Sequence, residues 1–408
     1  AAVSAENLKL STGYELAPFG VETMGPWGHS AKCLAKELSK RGLYEFSSEI
    51  TKRYAYQTDN HFVLSPISLW TLISAISEGA DGETLNEIQK TLHHHPHKCF
   101  THKYYKIIES IKPADGVVIE KSGTLVLDEN LLVKDNFKSK VKRLGICDFL
   151  YLSFRNFDDT AAFINNYVET ATHGAINEIV SPEDIQDQVV VLLDAIYFEG
   201  KWKIPFDRVE TEISTFYDED NKEIGDVNLM YSTSDYKSFE VDKLKATILE
   251  LPYGSSEFSM LVVLPKVGEP LSNVFDSLLN ISLRSILYLL NNAESHTVQV
   301  SLPRFKISSS LENLKELLVD MGLTTMFDLT ASFPYITNLP VNVGNLIQKA
   351  FIEVTEEGTV GSAVSEAGLE SRFLPAEFNA NRPFIYLIVE KEAGVVLFSG
   401  AYSKPSLY

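Results

Sequence analysis

Three cysteines in 408 residues, Cys33, Cys99 and Cys147, are too few for a disulfide framework. At most one pair could form and one thiol would stay free, so the fold must rest on its core. Long apolar runs are missing too. The longest, "SMLVVLP" and "FIYLIV", suit buried strands and fall far short of the ~20 residues that cross a bilayer. Positive charge is scarce, with 36 Lys and Arg against 55 Asp and Glu, a net charge of −19. That balance argues against a nucleic-acid partner, because phosphates require a basic face. The acidic residues are scattered rather than massed, which reads as a solvated surface. Lys98, Lys103, Lys106 and Lys112 make the only basic helix face worth weighing, and Glu109 interrupts it. It reads as solvated rather than as a glycosaminoglycan site.

Catalytic signatures are equally absent. There is no G-x-S-x-G elbow, H-E-x-x-H, Walker loop or C-x-x-C. "GHSAK", from Gly28, lacks the second glycine of the elbow. The run "HHHPHKC" (His93, His94, His95, His97, Cys99) has the side chains for a metal, but reads better as a polar loop between helices. The expectation is therefore no catalytic residue, no metal, no cofactor and no enzyme.

What is present is an ordinary globular composition, 45% hydrophobic and 22% charged. Length alone suggests two or three domains, but no Gly/Ser/Pro linker and no repeat divides the chain. Residues 1–42, centred on "APFGVETMGPWGHS", read as a flexible N-terminal extension, and residues 43–408 as one domain whose first firm helix is 44–57. "PISLWTLISAIS" reads as an apolar helix, and a second helix begins near Thr84. "QVVVLLDAIYFEG", "ATILELPY", "FSMLVVLP", "HTVQVSLPRFKI", "KAFIEV", "RPFIYLIVE" and "GVVLFSGAY" read as strands. Helices early and strands late make an α+β class. The opening "AAVSAENLKL" has neither initiator Met nor apolar signal core, which fits a mature secreted product or a trimmed chain. Asn280-Ile281-Ser282 is an N-glycosylation sequon, meaningful in a secreted chain.

One stretch stands apart. Residues 356–378, "EEGTVGSAVSEAGLESRFLPAEF", lie between two strand-like segments, and a structureless loop longer than ~12–15 residues is uncommon in a compact domain and usually functional. Every second residue, Thr359, Gly361, Ala363, Ser365, Ala367 and Leu369, is small or apolar. The alternate set, Val360, Ser362, Val364, Glu366, Gly368 and Glu370, carries the charges. Side chains of a strand alternate faces, so this loop is written as a strand with one buriable face. A flexible surface loop is the plainer alternative. Arg372 is the only basic residue between Lys349 and Arg382.

The ordered words "LSPISLWTLISAISEGADGETLNEI", "INNYVETATHGAI", "AIYFEGKWKIPFD", "LELPYGSSEFSMLVVLP", "LPRFKI", "QKAFIEVTEEGT" and "RPFIYLIVEKEAGVVLFSGAY" resemble the serpins, the serine protease inhibitor family, from about residue 44 to Pro405. "QKAFIEV" looks most like secreted arthropod members. The resemblance implies a serpin fold with a dominant central β-sheet, further sheets, surrounding helices and an exposed reactive-centre loop at about 356–378. In the family a target protease cuts that loop, which inserts as a new central strand and drags the acylated protease along. Glu356, Gly358 and Thr359 match the family's hinge, which runs on through Val360, Gly361, Ser362, Ala363, Val364 and Ser365. The family's spacing, seventeen positions with Glu356 as the first, lands on Arg372–Phe373. Arginine there implies a trypsin-like partner with an acidic pocket floor.

The family pattern also marks Ser65, Pro66, Asp194 and Gln348 beneath the place where the sheet opens, and Trp202 at its top. Trp202 reads equally as a core aromatic. Departures are visible: Val360 replaces a usual Glu, Gly361, Ser362 and Val364 stand where Ala recurs, Asp194 replaces Asn, Gln348 replaces His and His61 replaces Asn. The expected function is a secreted, monomeric, one-use inhibitor of an Arg-specific serine protease in an immune or melanisation cascade. The alternative is a non-inhibitory serpin acting as carrier, chaperone or decoy.

Overall fold

A computed structural model describes residues 29–95, 101–254, 256–311, 313–359 and 375–408. Helix α1 (His29–Gln57) leads to β1 (Phe62–Leu64), α2 (Pro66–Ser77), α3 (Gly82–Thr91) and α4 (Thr101–Ser110). Then come β2 (Val117–Asp128), α5 (Asp135–Leu144), β3 (Asp148–Leu152), α6 (Phe157–Ala171), α7 (Pro182–Ile185) and β4 (Val190–Lys201). Strands dominate the second half of the chain, beginning with β5 (Glu212–Tyr217), β6 (Glu223–Val241), β7 (Ala246–Pro252) and β8 (Phe258–Pro265). Helices α8 (Leu271–Leu278) and α9 (Leu283–Asn292) precede β9 (His296–Pro303), β10 (Phe305–Ser310) and α10 (Leu314–Asp320). The chain ends with β11 (Asn345–Thr355), β12 (Gly358–Thr359), β13 (Ala376–Asn379), β14 (Phe384–Glu390) and β15 (Val395–Tyr402). Residues 39–408 form one compact unit.

Two sheets organise that unit. The six-stranded sheet runs β10-β11-β12-β4-β2-β3. The nine-stranded sheet runs β1-β15-β14-β8-β7-β6-β9-β13, with β5 beside β6. Helix α2 is buried along its whole length and packs against β2 and β4 of one sheet and β15 of the other. It is largely apolar around its circumference, and Thr71 and Ser77 bond back to its own carbonyls rather than to water. Its first residue, Pro66, carries no N–H to leave unbonded at a helix start.

Strand β4 is buried on both faces, as a near-continuous apolar run should be. Val191, Leu193 and Ala195 pack with Ile164, Val168, Ile179 and Ile185 under α6 and α7. The alternate residue Asp194 faces α2, where Ser68 donates a hydrogen bond to it.

Two boundaries differ from the sequence reading. The first helix begins at His29, before the 44–57 segment. "HTVQVSLPRFKI" is two strands in different sheets, because Pro303 and Arg304 take the chain from β9 across to β10. The pattern alone cannot reveal that break, since both halves are strand-like.

Candidate functional site: a sheet closed in its middle and parted at its top

Strands β4 and β11 run parallel, Val191 to Ile196 beside Asn345 to Ala350, with Gln348 directly opposite Asp194. Both side chains are fully buried. The Gln348 amide donates to Asp194 Oδ2 at 2.5 Å, to the Ser65 carbonyl at 2.9 Å and to Ser68 Oγ at 3.1 Å. The Ser65 N–H donates back to Gln348 Oε1 at 3.1 Å. Ser68 donates to the same Asp194 oxygen, and Ser65 Oγ donates to the Leu397 carbonyl at 2.7 Å. Ser65, Asp194 and Gln348 thus meet in one clasp joining β4, β11, the start of α2 and β15. Pro66 contributes by starting that helix. In so dry a site each bond is strengthened and each lost partner is costly.

Higher up, the same two strands part. Over residues 197–199 and 351–353 they are not paired to each other among the described residues. At the top the chain leaves β11, turns through Glu356 and Glu357, and comes back as β12. Gly358 and Thr359 pair antiparallel with Thr355 and Val354 on one side and with Lys201 and Gly200 on the other. The turn needs glycine twice over. Gly358 has φ +150°, and a Cβ there would collide with the Gly200 carbonyl oxygen.

The turn is gripped from several directions. Trp202 donates its N–H to the Glu357 carbonyl and its indole N–H to the Thr355 carbonyl, each at 2.9 Å. Phe206 N–H donates to the Glu356 carbonyl at 2.9 Å. Both glutamates are buried, and each finds partners, as a buried carboxylate must. Glu356 accepts from Thr211 at 2.8 Å and lies 3.7 Å from Arg304, while Glu357 pairs with Arg208. The Thr359 side chain is buried with its Oγ1 2.8 Å from the Tyr253 hydroxyl. Tyr253 in turn stacks on Trp202 with ring centres 4.5 Å apart. Trp202 is thus a core aromatic and a double donor to the turn before β12.

Gly358 and Thr359 form the short strand β12, and Glu356 lies in the turn before it. Val360, Gly361, Ser362, Ala363, Val364, Ser365, Arg372 and Phe373 lie outside the described residues. The chain is described again from Pro375, and β13 joins the edge of the other sheet, parallel to β9. Sequence reading missed Arg208, Thr211, Tyr253, Arg304 and Ser68. The first two were hidden in a loop with no periodicity, and Tyr253 stood unremarked inside "LELPYG".

Other flagged residues have quieter places. Asn280 is exposed in the turn between α8 and α9, and Ser282 of its sequon caps α9. His94 stacks on Tyr104 and meets Trp70 edge-on. Burial, with the charge of His93 beside it, holds its ring down at about 3, so it packs as a neutral aromatic. His93 lies between Glu45 and Glu49 on α1, at 3.6 and 3.4 Å. Cys147 is a free thiol, pushed up by burial and by neighbouring Asp148. No helix among the described residues is long and apolar enough to cross a membrane.

Comparison with known proteins agrees with this architecture. The profile of the serpin (serine protease inhibitor) family matches residues 41–405. A "Serine protease inhibitor" of Cyanea capillata is 30% identical over 361 residues, covering 85% of this chain and 93% of its own length. "Serine protease inhibitor 2" of Anopheles gambiae is 30% identical over 381 residues, covering 88% and 91%. Among solved structures, Serpin48 of the insect Tenebrio molitor, described as highly specific, superposes with a TM-score of 0.80 at 26% identity, over 93% of this chain and all of that one. Members of the matched family are mainly protease inhibitors rather than catalysts, and with the profile spanning nearly all of residues 39–408 the chain belongs to the serpin family.

Proposed function

We propose that this protein is a secreted, one-use inhibitor of a serine protease that cuts after arginine, with Arg372–Phe373 as the bait bond. The observation that carries the reading is the placement of Gly358 and Thr359 between β4 and β11, running antiparallel to both. Below them β4 and β11 are still a parallel pair. A strand continuing from Thr359 would replace one parallel ladder by two antiparallel ones, the more stable pairing per residue. Its period-two face supports entry, because Gly361, Ala363, Ser365 and Ala367 would follow Thr359 inward with little volume to place.

In chemical terms, the protease serine attacks the Arg372 carbonyl, the Arg372–Phe373 bond breaks, and the Phe373 amine leaves with a proton from the protease. The ester left on Arg372 then faces two fates, water or withdrawal as the hinge enters the sheet. Entry requires the Asn345–Ala350 ladder to open and Gln348 to release Asp194. Exposure of Asn280 supports a glycosylated extracellular protein, and kinship with insect inhibitors supports a role in an immune or melanisation cascade.

A second reading, a non-inhibitory serpin used as carrier, chaperone or decoy, is favoured by Val360, Gly361, Ser362 and Val364, which depart from the family's hinge. One gel separates the two. Mixed with trypsin, an inhibitor gives a covalent band that survives denaturing electrophoresis. Clean cleavage after Arg372 with no such band would select the second reading. Arg372→Ala should abolish the reaction with trypsin and leave the fold intact, because the acidic floor of the enzyme's pocket loses its partner. An unchanged inhibition rate would show that the bait bond lies elsewhere.

A further inference from the structure

Tyr253 follows β7, in the nine-stranded sheet, yet its hydroxyl reaches Thr359 in the six-stranded one. Its place is over-determined. The Tyr253 N–H donates to the Phe258 carbonyl and the Gly254 N–H to the Lys201 carbonyl, each at 2.9 Å. Trp202 stacks on one face of the ring, and Phe198 meets it at a steep angle with centres 5.2 Å apart. Gly200 leaves room for it, since a Cβ there would come within 2.7 Å of the ring. A side chain held on every side has little rotamer freedom left, so its hydroxyl is aimed before any ligand arrives. Burial pushes that hydroxyl well above its ordinary value, and it stays protonated at every working pH. It is therefore always able to bond the threonine.

We infer that Tyr253 is a positioning residue for the hinge: its hydroxyl holds Thr359 and keeps the Gly358–Thr359 turn docked at the entrance of the sheet in the uncleaved protein. Insertion then begins from a hairpin already formed. After acylation, entry competes with hydrolysis, and a start already made favours entry. Losing one hydrogen bond of ordinary net strength shifts such an equilibrium about two- to tenfold. The consequence for inhibition rests on the inhibitory reading above, but the docking itself does not.

The test uses the full chain with Tyr253→Phe, which keeps the ring and its stack, together with Thr359→Val, the double variant and Thr359→Ser. Amide hydrogen exchange of residues 355–360 in uncleaved protein reads the docking directly. The expected result is exchange about two- to tenfold faster in Tyr253→Phe and in Thr359→Val, no faster in the double variant, and wild-type in Thr359→Ser. Exchange in β7 and β8 should be unmoved, which a merely structural role for the ring would not allow. Inhibitor molecules consumed per trypsin trapped should rise by a similar factor. Unchanged exchange in Tyr253→Phe, or effects that add in the double variant, overturns the latch. Faster exchange with unchanged consumption overturns the positioning role. If the wild type traps no protease at all, the inhibitory reading fails, and the exchange result still decides the latch.

Discussion

Strands β4 and β11 meet twice, on different terms. In the middle they are hydrogen-bonded neighbours, sealed by the buried amide and carboxyl of Gln348 and Asp194. At the top a two-residue strand separates them, gripped by Trp202, Phe206, Arg208, Thr211 and Tyr253. The middle holds its strands together by direct pairing, and the top holds them apart with a strand between them. On the proposed mechanism the first set of bonds resists insertion and the second is its first step, and entry would run downward, from Thr359 toward the clasp.

The largest effect should come from closing the entrance. Thr359→Arg places a charge in a buried pocket under Tyr253. An unpaired buried charge costs several kcal/mol even after relaxation, enough to slow entry by orders of magnitude. The variant should become a substrate, counted as many more inhibitor molecules consumed per protease trapped, while still being cut after Arg372. Val360→Arg, on the other set, should be far milder. Equal effects at the two positions would end the period-two reading.

Next in size is the cut itself. Cleavage near Arg372 should raise the melting midpoint sharply, because a complete central strand removes the unpaired gap between residues 197–199 and 351–353. An unchanged midpoint would mean that the entrance leads nowhere. A smaller change tests the closed middle. Gln348→Leu leaves the Ser65 N–H without its acceptor and takes one donor from Asp194. A buried group left unsatisfied costs about 1–3 kcal/mol, so the uncleaved protein should melt a few degrees lower. The cleaved form should lose less, since entry has already broken the clasp; equal losses would show that the clasp survives insertion.

The smallest effect concerns His61, which precedes β1 and accepts N–H bonds from Ser403 and Lys404 at 3.3 and 3.2 Å. Burial first, and the Lys404 charge second, hold its ring at about 4 rather than 6.5. The unfolded chain therefore takes up this proton first as pH falls. The stability it contributes is full above about pH 6.5 and is lost progressively toward pH 4. Comparing melting midpoints across that window, His61→Asn should show a shallower decline than the wild type. Parallel curves would remove His61 from the account.

Much of this contrast was written locally. "QVVVLLDAIYFEG" and "QKAFIEV" are apolar enough to announce buried strands, and they became β4 and β11. Thr359 is buried, as are Glu356, Glu357 and Gly358 beside it, and the rest of the alternating stretch lies outside the described residues. What could not be read was who would hold the turn. Tyr253 lies more than a hundred residues before Thr359, and Arg208 and Arg304 are as unremarkable in sequence as any surface arginine. Glu356 and Glu357 look like solvent-facing charges until the fold surrounds them with cations and hydroxyls. Such partners are chosen by tertiary geometry, and no period in the chain encodes them.

The direction of β12 sets a distance as well as an order. Its chain heads from the top of the sheet toward the clasp, while β13 stays fastened to β9 in the other sheet. At ~3.3 Å per residue of strand, feeding the stretch from Thr359 to Arg372 into that track would place Arg372 roughly 40 Å down the sheet from Thr359. In the proposed inhibitor the hairpin at Glu356–Gly358 would work as a fixed pulley, turning the release of one peptide bond into haulage across a whole sheet.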